Sequence, residues 1–78
     1  MPTVAREGPY RFFFYSNEGT EPAHAHVQQG RRLAKFWLEP VAMASATGYN
    51  SRDLARIGVI IKKNRKRFLE AWHGFFGR

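Results

Sequence analysis

The chain contains no cysteine, which removes disulfide staples and thiolate metal sites together. Acid is scarce as well: six Asp and Glu stand against thirteen Lys and Arg, leaving a formal net charge of +7. Such an excess gathers polyanions, so nucleic acid, an acidic protein or an anionic surface is the natural partner. No segment approaches the roughly 20 apolar residues of a membrane-spanning helix, and the first residues lack the apolar run of a secretory signal. These absences predict a cytoplasmic protein without a membrane partner, in one domain over residues 1–78. What the chain has instead is ring volume: seven Phe, three Tyr and two Trp in 78 residues. A chain this short buries only about 60% of its unfolded surface, so those rings must supply most of the core.

Residues 10–15 read Tyr-Arg-Phe-Phe-Phe-Tyr, a β-favouring run closed by the turn-forming Ser16-Asn17-Glu18-Gly19. A shorter strand over 3–6 precedes it and ends at Gly8-Pro9. After Pro22 the chain alternates Ala23-His24-Ala25-His26-Val27, which sets both histidines on one face of a strand and the apolar residues on the other. A two-residue loop at Gln29-Gly30 predicts a hairpin into 32–39, with Val27 opposite Arg32, His26 opposite Leu33 and His24 opposite Lys35. Ala23, Ala25, Val27, Ala34, Phe36 and Leu38 then face inward, and His24, His26, Leu33, Lys35 and Trp37 face outward. A one-residue slip would bury both histidines. Pro40 ends that strand, and residues 41–44 suggest a short edge strand.

Asn50 is placed to cap a helix, with Asp53 three residues on and Tyr49 set to pack on Leu54. Leu54, Ile57, Ile61, Phe68, Trp72 and Phe75 follow at helical spacing, and Asn64 is the one polar residue on that line. One long helix or two joined near Asn64 are expected; a continuous helix over 51–76 would span about 39 Å, long for so small a domain, and a kink near Lys63-Asn64 or partner contact beyond the sheet would resolve that excess. The fold class is α+β: a small antiparallel sheet of three to four strands in residues 1–45, then a long or kinked C-terminal helix over 50–76 packed on one face.

Advancing roughly 100° per residue, Arg52, Arg56, Lys62, Lys63, Lys66 and Arg67 fall within about 140° of arc opposite the apolar stripe; Arg65 alone strays. Glu70 is nearly the only acid among them, and the run 62–67 repels itself unless salt or a polyanion screens it. A solvated face is one reading and the footprint of a nucleic acid the other. On the sheet, Arg11, Phe13 and Tyr15 are expected on the outer face with the histidines, Lys35 and Trp37. Cations interleaved with rings suit unpaired bases and their phosphates. An apolar patch of Phe13, Leu33 and Trp37 suits a homodimer or another protein interface equally well.

A zinc site needs at least three protein ligands, so Glu21, Glu39 or His73 would have to converge on the strand pair; no metal and no other cofactor is expected. Acid–base chemistry asks less. Attack of an RNA 2′-hydroxyl on its own phosphate needs a base, an acid and a cation, roles open to His24, His26 and Lys35, with Arg11 adding charge. The competing reading is two histidines satisfied by hydrogen bonds at an interface.

Several segments carry a resemblance: Met1-Pro2-Thr3-Val4, Tyr10-Arg11-Phe12-Phe13-Phe14-Tyr15-Ser16, the Pro-x-His-x-His-Val pattern at 22–27, Ala34-Lys35-Phe36-Trp37-Leu38 and Phe68-Leu69-Glu70-Ala71-Trp72-His73. Together they resemble the short bacterial proteins of domain of unknown function 4160. Members commonly show two prolines before the first histidine, where this chain has Glu21-Pro22-Ala23, and a bulkier residue between the histidines than Ala25. The resemblance implies a bacterial setting and a gene beside a second small domain, an arrangement similar to toxin and antitoxin pairs, with an acidic cognate protein as partner. It assigns no catalytic residue. The expectation is a small basic protein that binds or cleaves RNA, as a metal-independent endoribonuclease or the toxin half of such a pair; the alternative is a non-catalytic protein-interaction or nucleic-acid-binding module.

Overall fold

Alternation along two neighbouring strands decides which way the sheet faces. In the computed structural model, which describes residues 3–16 and 19–77, β3 (His24–Gln29) and β4 (Arg32–Leu38) pair antiparallel with Ala25, Val27, Ala34, Phe36 and Leu38 buried on one side. Met1-Pro2 and the Asn17-Glu18 half of the expected turn lie outside the described residues. The other strands are β1 (Thr3–Glu7), β2 (Tyr10–Phe13) and β5 (Val41–Thr47), and the order across the sheet is the order along the chain. Two helices follow, α1 (Ser51–Lys63) and α2 (Arg65–Phe76).

The α+β class therefore stands, with five strands in place of three to four. Glu7 pairs with Tyr10 across Gly8-Pro9, making the first segment a full partner of β2. The edge segment expected over 41–44 continues to Thr47, because β4 offers a free ladder as far as Leu33 and β5 follows it through a bulge at Ala44.

The hairpin loop is Gly30-Arg31, displaced from the expected Gln29-Gly30, so Val27 lies opposite Ala34, His26 opposite Lys35 and His24 opposite Trp37. The physical reason is turn chemistry. Gly30 has φ +59° while no non-glycine residue has positive φ, the condition of a turn that needs glycine first among its two loop residues. The register moves by two residues, an even number, so every side chain keeps its expected face.

Of one long helix or two joined near Asn64, the chain forms two, interrupted at Asn64 (φ −108°, ψ 13°), whose side-chain amide donates to the Ile60 carbonyl at 2.8 Å. A short amide side chain that binds the preceding turn competes with the helical ladder and marks a break. At the other end of α1, the Asn50 side chain accepts from the Asp53 backbone N–H at 2.8 Å, as expected of a cap. Ile57, Ile61, Phe68 and Trp72 are buried in one core with Phe12, Phe14, Val27, Phe36 and Leu38. Each such side chain contributes about 1.5–3 kcal/mol by leaving water. Phe75, expected on this stripe, is 47% exposed. The residue that continues it is Phe76, four past Trp72 and 4.2 Å from it ring to ring, because steps of four keep Phe68, Trp72 and Phe76 on one side.

Candidate nucleic-acid interface

The outward face of the sheet carries the residues expected to do chemistry, and its own side chains close it. Phe13 is 1% exposed: the Arg11 guanidinium lies 4.4 Å above its ring, while His26 stacks beside it at 5.4 Å and Tyr15 meets its edge at 5.3 Å. Arg11 is held in that pose by Gln28 Oε1, which accepts from it at 2.7 Å, and by Thr3 Oγ1 at 3.2 Å. Two strands over, on β4, the Lys35 ammonium sits 4.7 Å from the Trp37 ring and 2.6 Å from Glu21 Oε1. Cation over ring is a favourable electrostatic contact that also removes ring surface from water.

Between these two capped rings lie the histidines. They meet at 5.2 Å, and His24 also touches Trp37 at 5.6 Å and Trp72 of α2 at 4.8 Å, so it links the outer layer to the helix-side core. The His24 Nδ1 lies 2.9 Å from the Pro22 carbonyl. His24 is fully buried and His26 nearly so. A one-residue register slip is one way to bury such a pair. The register keeps them outward, and aromatic neighbours bury them instead.

This arrangement changes what the outer face can do. General acid–base work requires the rings to come within hydrogen-bond reach of a phosphate, and His24 has no exposed surface from which to do so. No cleft or cavity is found among the described residues. Lys35, expected across from His24, is across from His26 and committed to Glu21. Phe13, expected as an exposed platform, offers no free ring face, and Trp37 is half-buried under Lys35. Among the described residues no group of three His, Cys, Asp or Glu gathers, and His73 is exposed on α2, away from the buried strand pair.

The helices present the opposite situation. Arg52, Arg56, Lys62, Lys63, Lys66 and Arg67 are all exposed, and none has an ion pair or side-chain hydrogen bond among the described residues. Arg65, which strays from their arc, is the helix cation that does bond. Its Nε donates to the Leu38 carbonyl at 2.9 Å, and its Nη2 lies 3.2 Å from Glu39 Oε2, tying α2 to the end of β4. Arg32 likewise approaches Asp53 at 3.8 Å. Asp53, Glu21 and Glu39 are thus paired where the sheet meets its loops and helices, and the outward arc keeps six cations with Glu70 as its one acid.

The family model described as Domain of unknown function (DUF4160) matches residues 10–73. The chain belongs to this family. No curated protein and no solved structure matches it. The matched span of this DUF4160 chain takes in β2 to α2, and so holds the capped rings, both histidines and all six unpaired helix cations.

Proposed function

We propose that this protein is a nucleic-acid-binding module whose contact surface is the outward arc of α1 and α2, with the histidine layer as a structural support. The observation that carries this reading is where unpartnered charge collects: Arg11, Arg32, Lys35 and Arg65 are bonded, and of the eight other cations among the described residues only Arg6 and Arg31 lie off the helices, while six share the exposed faces of α1 and α2. Clustered cations that outnumber their one neighbouring acid, Glu70, six to one raise the cost of the isolated fold through repulsion, and phosphates relieve it. Burial of His24 and His26 supports binding over cleavage by this pair.

The test is a titration of a fluorescent RNA hairpin bearing a single-stranded tail, at 50 and 200 mM salt, with the same samples run on a gel. Six phosphate contacts would cost about a thousand-fold in affinity across that salt range. Replacing Lys62, Lys63, Lys66 and Arg67 together by Gln should lower the logarithmic salt slope by about 3–4. Binding that ignores salt, or survives the four changes, would overturn the proposal. RNA cleavage lost in His24→Ala would restore the endoribonuclease and toxin-like readings.

A further inference from the structure

The cationic arc and the aromatic rings occupy different parts of the molecule, and that separation bears on what kind of nucleic acid the arc can hold. Single strands are held by two devices together, a basic track for the backbone and exposed rings on which bases stack. Here the second device is missing from the basic surface. Residues 50–67, which carry all six unpaired helix cations, contain no Phe, Tyr or Trp. The rings elsewhere are in or against the core or beneath Arg11 and Lys35, apart from Tyr15, which is half-buried against Phe13 and His26 on the sheet. Phe75 is the one large exposed aromatic among the described residues, and it lies eight residues past Arg67, about 12 Å further along the helix.

Shape points the same way. Unpaired bases are held on exposed rings or in clefts; no cleft is found among the described residues, and residues 50–67 hold no ring. The six cations stand exposed on two helices, over about 22 Å of helical rise from Arg52 to Arg67. A double helix is the polyanion that presents phosphates without asking for base contacts, at about one charge per 1.7 Å of its axis. The exposed uncharged neighbours Ala55 and Val59 offer nothing to the hydrogen-bonding edges of bases.

We infer that the α1–α2 arc binds the sugar-phosphate backbone of a double-stranded nucleic acid, independently of sequence. This rests on the nucleic-acid reading above and narrows its ligand.

The experiment is a fluorescence-anisotropy competition on the full chain at 100 mM salt. It uses 20-base-pair duplexes of two unrelated sequences, each as RNA and as DNA, against the matching single strands. Duplexes should bind at least ten-fold more tightly than single strands, the two sequences should agree within two-fold, and Phe75→Ala should leave duplex affinity unchanged. A preference for the RNA or the DNA duplex leaves the inference standing and identifies the source. Single strands binding as well as duplexes, or a ten-fold loss in Phe75→Ala, would overturn the inference while the nucleic-acid reading survives. Salt-insensitive or absent binding by every probe would remove that reading itself, and an acidic protein would then be the polyanion to seek.

Discussion

Phe12 and Phe13 are adjacent in sequence, point to opposite sides of the sheet and are equally buried, at 0% and 1% exposure. Phe12 is covered by the helices, with the Phe68 ring 5.2 Å away. Phe13 has no helix or strand above it among the described residues. Its cover is a layer of Arg11, Tyr15 and His26, continued by His24, Trp37 and Lys35. A sheet face can therefore be closed without a second layer of secondary structure, provided that long cationic stems and flat rings lie down on one another. The cost is functional: residues used as a roof are not available as a site.

The largest test of this equivalence is to truncate both rings. Phe12→Ala and Phe13→Ala should each lower unfolding stability in urea by about 3–5 kcal/mol, the range for emptying a packed aromatic site. A Phe13→Ala loss below about 0.5 kcal/mol, as at ordinary surface positions, would show the outer face to be open. Next in size is His24→Ala, which removes a ring wedged between Trp37 and Trp72 and should cost about 2 kcal/mol with no change in nucleic-acid affinity. Unchanged stability would detach the histidine from the layer.

The smallest effect belongs to the helix side, where the buried Tyr49 hydroxyl has no hydrogen-bond partner among the described residues. Burial, chiefly, with the neighbouring Tyr10 and Asp53 charges also raising it and Arg32 opposing, pushes the Tyr49 pKa above its ordinary value of 10.0. The unfolded chain then ionises first, so this residue's contribution is intact below about pH 10 and is lost as pH rises through the higher folded-state value. Tyr49→Phe should raise stability by about 1 kcal/mol at neutral pH and flatten the alkaline fall in a pH series of urea melts. A loss of stability in that variant would mean that the hydroxyl is bonded after all.

Much of this fold is legible in the sequence because its signals are local. Alternation from Ala23 to Val27 fixes the two faces of β3, Asn50 with Asp53 marks the start of α1, and Asn64 marks its interruption. The loop position was harder, since Gln29-Gly30 and Gly30-Arg31 differ only in where one glycine falls within the turn. Alternation also says which face a side chain takes and is silent on what covers that face. For this reason the outward direction of His24 and His26 was readable, and their burial was not. The cover depends on meetings between residues far apart in sequence, such as Tyr15 with His26 and His24 with Trp72. The arc of exposed helix cations, by contrast, was readable from spacing alone, with Arg65 already its exception, whereas their lack of partners was not.

The order of the strands in space, β1 to β5 as in the chain, also governs how the molecule can assemble. Every ladder joins neighbours in sequence, so no strand has to wait for a distant segment before it can pair, and each hairpin can zip on the one before it. Loop-closure entropy is met in small instalments, with the longest reach left to the docking of α2, where Phe68 comes to rest on Phe12. Such wiring belongs to topologies that fold fast, and it spares a small and strongly charged chain a slow search through half-paired, association-prone states.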